Sequence, residues 1–325
     1  MTSETLGEGT IQRRMQGELQ KPDRYMKVRF GRNGAHLFDR HSGVNILLDD
    51  VAVDEAVWSK APRYVSLSLA NACDLHCSFC YASKEPRRLD YDTVTAWAKE
   101  LDLNGCLGIG FGGGEPTLYP RFVELCRELH ATTNLALTMT THGHRFTPEL
   151  ADGLRGALSF IRVSMDGVGT TYERIRGRPF WQFVDRLNVV RSIAPFGINY
   201  VVNADTLGDL TRAAAFAFSS GAVELLLLPE TGTDGNIRVD ADVLRGLEDW
   251  VFENHDRYRV AISAHGADAI KAEALTPFNE EESSYAFLHI DASGTLKEST
   301  FTRKGIEIAE HSCLLDAITT LRHAA

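Results

Sequence analysis

The sequence CDLHCSFC at positions 73–80 decides both the fold and the chemistry expected of this chain. It places three cysteines, Cys73, Cys77 and Cys80, within eight residues. An apolar run at 64–69 precedes it, so the pattern predicts a strand that leads into a tight loop. Three thiolates on one loop can hold three corners of a cubane iron–sulfur cluster, and the fourth iron then has no protein ligand. Such an iron is open to a cofactor or a substrate.

A structural zinc site is the alternative interpretation of the same cysteines. Zinc of this kind is tetrahedral and takes a fourth ligand at a fixed short spacing. His76 lies inside the loop, too close to its neighbours to complete a tetrahedron. The cysteines are therefore interpreted as ligands of an open iron–sulfur cluster.

Composition excludes several other classes of protein. The hydrophobic content of 44% is that of an ordinary globular protein, and the net charge of −10 argues against a general nucleic-acid binder. No run approaches the roughly 20 apolar residues of a membrane helix, and no signal peptide is recognisable. Six cysteines without a secretion signal indicate a reducing compartment. We expect a cytoplasmic protein without a nucleic-acid or membrane partner.

Strand-like and helix-like segments alternate from position 64 to about 258. Alternation of this kind predicts an α/β fold with a parallel sheet and right-handed crossovers. The six units that can be counted are too few for a complete eightfold barrel, so a partial (β/α)6 TIM-like barrel is predicted. After the first strand, the predicted strands are 106–111, 135–140, 160–164, 198–202 and 225–228.

Shorter elements are predicted on either side of this barrel. Three strand-like runs at 25–30, 35–39 and 44–49 form a β-meander, which either covers one end of the barrel or offers an edge to a peptide strand. Beyond the barrel, the pattern predicts a possible further strand at 258–264, a hairpin within 285–299 and a helix at 312–322. The predicted division is a tail and meander at 1–60, a barrel core at 61–258 and a C-terminal α/β extension at 259–325.

Two further motifs follow predicted strands. FGGGEP at 111–116 contains three consecutive glycines, which let the backbone approach a ligand closely or simply form a tight turn. VSMDG at 163–167 is followed by RIRG at 174–177. Their hydroxyl, carboxylate and guanidinium groups suit the ribose and carboxylate of a zwitterionic nucleoside, although ordinary loop residues are the alternative.

The C-x3-C-x2-C spacing, with the aromatic Phe79 before its last cysteine, resembles the signature of the radical S-adenosylmethionine (radical SAM) superfamily. The glycine run is similar to the superfamily's GGE motif. This resemblance implies that Gly113, Gly114 and Glu115 bind the methionyl amino group of SAM. It also implies that Phe79 packs against adenine. The alternative is that its ring fills the apolar space of the cysteine loop.

In peptide-modifying members, a Ser-x-Asp-Gly motif followed by Arg-Gly contributes to SAM binding. The resemblance therefore assigns Ser164 and Arg176 to the carboxylate or ribose of SAM, together with Asp166. Asn203 and Leu228 resemble positions that flank adenine.

The sequence departs from the superfamily at Thr140-Thr-His142-Gly143, where Thr-Asn-Gly is more usual. His142 either faces the substrate or is a solvated loop residue. The resemblance also implies two cofactors, one [4Fe-4S] cluster and SAM, and an external one-electron donor such as flavodoxin or ferredoxin. SAM would bind the open iron, and its cleavage would supply a 5′-deoxyadenosyl radical that abstracts a hydrogen atom.

The segment at 287–299 is similar to the hairpin of the SPASM/Twitch extension, which normally carries cysteines for an auxiliary cluster. Ser299 and Thr300 stand where a cysteine is expected. The remaining thiols, Cys106, Cys126 and Cys313, are each explained as strand or helix core. A single cluster is therefore predicted. Cys313 is also a candidate hydrogen donor to the substrate, with a buried structural role as the preferred alternative.

The leading functional hypothesis is a radical SAM enzyme that modifies a ribosomally synthesised peptide by epimerisation or by a C–C or C–X crosslink. The alternative is a radical SAM enzyme that acts on a small metabolite, such as a sugar, nucleotide or amino acid. A non-catalytic iron–sulfur carrier is a third possibility. A carrier needs no nucleoside pocket, so the motifs at 113–115 and 164–176 argue against it.

Overall fold

One ten-stranded sheet organises the protein, whose structure is a computed structural model describing residues 26–272 and 283–324. The order of its strands is β10-β9-β8-β7-β6-β5-β4-β11-β12-β13. Strands β4 to β10 are parallel neighbours in chain order, and β11 joins β4 in parallel. The two edge strands, β10 and β13, are not paired with each other in the described residues. The fold is an open, partial TIM-like barrel, as predicted, but its parallel strands in the described residues are the eight from β4 to β11 and not six, because β10 and β11 also join the sheet.

The strands of this sheet are β4 (Tyr64–Ala70), β5 (Gly108–Gly113), β6 (Ala136–Thr141), β7 (Phe160–Ser164), β8 (Phe196–Val202), β9 (Leu225–Pro229), β10 (Val260–Ile262), β11 (Phe287–Ile290), β12 (Thr295–Lys297) and β13 (Ile306–Glu307). The helices are α1 (Tyr91–Leu103), α2 (Phe122–Thr132), α3 (Pro148–Leu154), α4 (Thr170–Arg176), α5 (Phe180–Val190), α6 (Leu210–Ser219), α7 (Ala241–Asn254), α8 (Ala264–Ala269), α9 (Ser283–Ala286) and α10 (Leu314–Ala324). Within the described residues, no helix is both long and apolar enough to cross a membrane.

The alternation of β4 separates an apolar face from a polar interior. Val65, Leu67 and Leu69 are fully buried in the main hydrophobic core. On the opposite face, the Tyr64 hydroxyl and the Thr138 hydroxyl lie 2.6 Å apart. A Cβ atom at Gly110 would overlap this tyrosine hydroxyl, so the glycine of β5 makes room for the ring. Hydrogen-bonded side chains therefore fill the barrel interior near the starts of the parallel strands.

The N-terminal meander packs against the end of the barrel where the parallel strands begin. It consists of β1 (Met26–Gly31), β2 (Gly34–Asp39) and β3 (Asn45–Leu48), all antiparallel, as predicted. Lys27 pairs with Asp102, and the Arg29 guanidinium donates to the Ala61 carbonyl at 2.6 Å and to the Gly105 carbonyl at 3.1 Å. These contacts match the expectation of a cover for one end of the barrel.

The predicted C-terminal hairpin is formed by β11 and β12, and it extends the barrel sheet. Helix α10 packs beside it, and the Glu100 carboxylate accepts hydrogen bonds from the amides of Leu314 at 3.2 Å and Leu315 at 2.8 Å. Glu100 therefore caps the start of this helix. Residues 1–25, which include the predicted tail and the first residue of the predicted strand at 25–30, lie outside the described residues, as do residues 273–282 and residue 325.

Candidate active site

A cavity of about 270 Å³ lies at the carboxyl-terminal ends of the parallel strands. This edge of a β/α sheet is where ligands usually bind. The cavity brings together most of the residues singled out from the sequence: Cys73, Cys77, Phe79, Cys80, Gly113, Gly114, Glu115, His142, Ser164, Asp166, Arg176 and Leu228. Residues separated by more than a hundred positions thus converge on one space.

The three loop cysteines all line this cavity as free thiols. Each sulfur has a nearby donor. The Leu75 amide lies 3.5 Å from the Cys73 sulfur, the Arg176 guanidinium 3.4 Å from the Cys77 sulfur and the Lys84 ammonium 3.4 Å from the Cys80 sulfur. Positive charge beside a sulfur favours its thiolate form, the form that binds metal. Burial, in contrast, raises the pKa of the Cys73 thiol in this structure.

The glycine turn after β5 lies directly against the base of the cysteine loop. The Gly114 amide donates to the Ala70 carbonyl at 2.8 Å, and the Glu115 amide donates to the Ala72 carbonyl at 2.8 Å. A Cβ atom at Gly114 would overlap the Ala72 carbonyl, and Gly113 has a φ of +109°. Both glycines are therefore required by the approach of two backbone segments, in addition to any approach to a ligand.

Glu115 is a buried carboxylate that several donors hold in place. The Thr141 hydroxyl lies 2.9 Å from both of its oxygens, and the Thr117 hydroxyl donates at 2.7 Å. The His142 amide donates to the same carboxylate at 3.1 Å. These hydrogen bonds fix the carboxylate at the cavity wall, where it suits a ligand ammonium group.

His142 is buried, so its interpretation as a solvated loop histidine is wrong. Its Nε2 atom lies 2.8 Å from the Asp74 Oδ1 atom and 3.3 Å from the Glu115 Oε2 atom. Burial of Asp74 opposes ionisation, but its interactions with His142, a backbone amide and Arg145 together lower the pKa of the Asp74 carboxyl. His142 therefore lines the cavity and also contacts both the cysteine loop, through Asp74, and the glycine turn, through Glu115.

Asp166 and Arg176 form a buried ion pair beside the cysteine loop. Asp166 has a left-handed backbone with a φ of +53°, and its carboxylate accepts a hydrogen bond from the Val201 amide at 2.6 Å. Burial raises the pKa of the Asp166 carboxyl, and the Arg176 charge opposes that shift. The Arg176 guanidinium also lies 5.9 Å from the centre of the Phe79 ring, within cation–π range.

One nitrogen of this guanidinium, Nε of Arg176, is buried and has no hydrogen-bond partner within the described part of the chain. A buried donor without a partner is costly, so it indicates a place where a ligand acceptor would fit. Arg176 thus faces both a thiol and the cavity.

Asn203 is the one predicted cofactor residue that does not line the cavity. Its side-chain amide donates at 2.7 Å to Glu230, which does line it. Sequence motifs did not reveal several other lining residues, namely Asn199, Ser263, His265 and Phe301. Asn199 and Ser263 lie in or directly after a parallel strand, and that position is the only signal in the sequence that could have found these two.

The cysteines outside the loop have different environments. Cys106 and Cys126 are completely buried, which confirms their assignment to the core. The interpretation of Cys313 as buried helix core is wrong, because it is exposed. It lies just before the first residue of α10 and does not line the cavity.

The donor set at this cavity fits an iron–sulfur cluster with an anionic ligand beside it. Three free thiols surround one space, and a buried guanidinium with an unsatisfied donor faces it. One ligand atom each of Cys73, Asp74 and His142 also lie within 4.8 Å of one another, so a single divalent ion is a competing occupant. That smaller set leaves Cys77 and Cys80 unused.

Residues 67–214 match the Radical SAM superfamily, so this part of the chain is a radical SAM domain. The cofactors of this superfamily are a [4Fe-4S] cluster and SAM. The matched segment contains the cysteine loop, the glycine turn, Asp166 and Arg176.

Several curated relatives and solved structures are similar to the chain, among them the following. The AdoMet-dependent heme synthase of Methanosarcina barkeri is 27% identical over 218 residues, which are 63% of this chain and 62% of the relative. The sporulation killing factor maturation protein SkfB of Bacillus subtilis is 28% identical over 203 residues, which are 58% of this chain and 49% of the relative. The chain thus spans about half to three-fifths of the length of these relatives.

One similar solved structure is that of Streptococcus suis SuiB bound to S-adenosylmethionine, with a TM-score of 0.71. The likeness covers 91% of this chain and 89% of SuiB at 14% sequence identity, which establishes a shared fold. SuiB has also been solved bound to its precursor peptide SuiA.

Proposed function

We propose that the protein is a peptide-modifying radical SAM enzyme, which abstracts a hydrogen atom from a ribosomally synthesised peptide. The outcome is epimerisation or a C–C or C–X crosslink. SkfB matures a sporulation killing factor and SuiB binds a precursor peptide, and both resemblances support a peptide substrate. An external one-electron donor such as flavodoxin or ferredoxin completes the proposal.

We assign the binding of the cofactors to named side chains. Cys73, Cys77 and Cys80 hold the cluster, and the Glu115 carboxylate with the glycine turn holds the amino group of SAM. Ser164 and Arg176 bind its carboxylate or ribose. When bound, the cluster and SAM supply the radical chemistry, while the protein orients the reactants and excludes water.

The observation that carries this proposal is the convergence of three thiols, Glu115 and Arg176 on one cavity. Its volume of about 270 Å³ is at the small end of ligand pockets, which span roughly 300–1,000 Å³.

The positions of the cysteines support a single cluster. The sequence has six cysteines; three line the cavity, two are buried in the core, and Cys313 is exposed away from the cavity. A second cluster is not needed when a solvent-exchangeable hydrogen-atom donor returns a hydrogen atom to the substrate radical and the external one-electron donor then reduces the donor radical, whereas a crosslink removes two electrons from the substrate. Within the proposal, epimerisation is therefore favoured over crosslinking.

A small metabolite is the second candidate substrate, because one of the relatives is a heme synthase. A precursor-peptide gene beside the gene of this protein would favour the peptide. A biosynthetic cluster for a small molecule without such a gene would favour the metabolite.

The test is anaerobic turnover of the reconstituted, reduced protein with SAM and candidate precursor peptides in heavy water. We expect 5′-deoxyadenosine and a peptide whose mass has increased by one deuterium-for-hydrogen exchange, the result of epimerisation. Loss of two hydrogens would indicate a crosslink instead. The variant with Cys73→Ala, Cys77→Ala and Cys80→Ala should lose both the cluster and SAM cleavage. A wild-type protein that forms no 5′-deoxyadenosine with any substrate would refute the proposal.

A further inference from the structure

We infer that His142 is a positioning residue, which fastens the cysteine loop to the Glu115 carboxylate. The significance of this fastening rests on the proposed function, in which the loop holds the cluster and Glu115 holds SAM. Nothing in the sequence motifs alone connects the two, because Asp74 and His142 are 68 positions apart.

Hydrogen bonds determine the position of the imidazole proton. The His144 amide donates to the Nδ1 atom of His142 at 3.1 Å, so Nδ1 carries no proton. The proton is therefore on Nε2, which lies 2.8 Å from the Asp74 carboxylate and 3.3 Å from the Glu115 carboxylate. One N–H group thus lies between an acid of the cysteine loop and the acid that follows the glycine turn.

The other partners of Asp74 are weaker. Arg145 and Arg178 approach its second oxygen at 3.7 and 3.8 Å, and their side chains are 41% and 42% exposed. Exposed ion pairs at such distances contribute little because water screens them. The His142 side chain is only 4% exposed, so its hydrogen bond is protected from water and is the stronger connection.

The size of the side chain makes the inference testable. An asparagine amide extends less far from the backbone than an imidazole Nε2 atom. His142→Asn keeps the backbone hydrogen bond from residue 142 to Glu115 but loses the reach to Asp74. Asp74→Asn retains an oxygen acceptor for Nε2, whereas Asp74→Ala removes it.

The experiment measures amide hydrogen exchange of the loop at 73–80 in the full-length protein, before and after cluster reconstitution, and the rate at which a chelator removes iron. We expect His142→Asn and Asp74→Ala each to accelerate both rates roughly two- to tenfold, as the loss of one buried hydrogen bond would. The double variant should be no worse than either single variant. Asp74→Asn should stay near the wild type, and so should Arg145→Gln, the matched control at the same carboxylate.

Unchanged loop exchange in His142→Asn, or additive effects in the double variant, would overturn the inference. A change in exchange throughout the barrel would also overturn it, because it would show a general structural role. Exchange is independent of SAM cleavage. A wild-type protein that cleaves no SAM would therefore refute the proposed function and leave this inference intact. Conversely, SAM cleavage together with unchanged loop exchange in His142→Asn would refute this inference and leave the proposed function intact.

Discussion

The two ends of the barrel each bury an arginine, and they use it differently. At the end where the strands begin, Arg29 is 2% exposed and donates to the carbonyls of Ala61 and Gly105. At the end where the strands finish, Arg176 is 9% exposed, pairs with Asp166 and approaches the Cys77 sulfur. The first arginine joins the meander to the barrel, and the second lines the cavity.

Burial of a charge does not by itself indicate a functional site. Backbone carbonyls are permanent partners, so Arg29 is part of the packing between two sheets. Arg176 instead lies among groups that bind ligands, since a thiol and an open cavity face it. The surroundings of a buried cation, more than its burial, distinguish the two ends.

Replacing each arginine by glutamine shows whether it contributes to the free energy of unfolding, to ligand affinity or to both. Arg176→Gln leaves Asp166 buried without its cation, and we expect a loss of about 3–5 kcal/mol in the free energy of unfolding. Arg29→Gln removes charged hydrogen bonds to carbonyls, each worth roughly 1.5–3 kcal/mol. Urea unfolding measures both losses, and calorimetric titration with SAM measures affinity. Only Arg176→Gln should weaken SAM binding in the protein that remains folded.

Arg176→Lys is the matched control at the cavity end. It retains the charge and loses the planar fork that binds a carboxylate through two hydrogen bonds, so its SAM affinity should lie between wild type and Arg176→Gln. Equal losses of SAM affinity in Arg29→Gln and Arg176→Gln would contradict the distinction between the two ends.

Two histidines, one half-buried and one buried, give the protein a pH-dependent stability. Burial lowers the pKa of His144, at the cavity end, and of His289, in the barrel interior, from 6.5 to about 4. The unfolded chain therefore binds more protons between these values, and the free energy of unfolding falls as the pH is lowered from about 6.5 to 4. We expect a loss on the order of 2–3 kcal/mol for each histidine, allowing for partial solvent access.

Urea unfolding at pH values across this window measures the effect. His289→Gln retains a partner for the Ser66 hydroxyl, which lies 2.6 Å from the histidine ring, and removes the titrating group. The stability of this variant should depend less on pH than that of the wild type. The same dependence in both proteins would show that His289 does not contribute.

Local patterns explain why much of the fold was predictable. Alternation and turn residues identified β4 to β9, the meander and the terminal hairpin, because each of these depends on neighbouring residues. The pairing of β11 with β4 was not predicted, since it joins segments more than two hundred positions apart. Cys313 was misassigned because it lies one residue before α10 begins, so the buried face of that helix does not include it.

The residues of the candidate site likewise divide into those that local sequence predicted and those that it did not. The cysteine loop, the glycine turn and the Asp166 motif lie in short contiguous stretches with recognisable spacing. Asn199 lines the cavity from within β8 and Ser263 directly follows β10, and no motif surrounds either residue. The contact between His142 and Asp74 depends on the packing of one loop against another. Such contacts have no counterpart in local sequence.

Phe301 belongs to the part of the cavity wall that comes from the C-terminal extension, and its replacement tests the role of that wall. Its ring lies 5.1 Å from the ring of Tyr81, which directly follows the cysteine loop, and both rings line the cavity. Aromatic pairs of this kind contribute about 0.5–1.5 kcal/mol beyond burial. If this pair forms the wall that a peptide side chain contacts, Phe301→Ala should raise the peptide KM about tenfold, equivalent to about 1.4 kcal/mol.

Phe252→Ala is the matched control, because Phe252 is 79% exposed on α7 and does not line the cavity. An equal change in KM in both variants would exclude Phe301 from substrate contact, and steady-state kinetics with the modified peptide as the measured product decides between these outcomes.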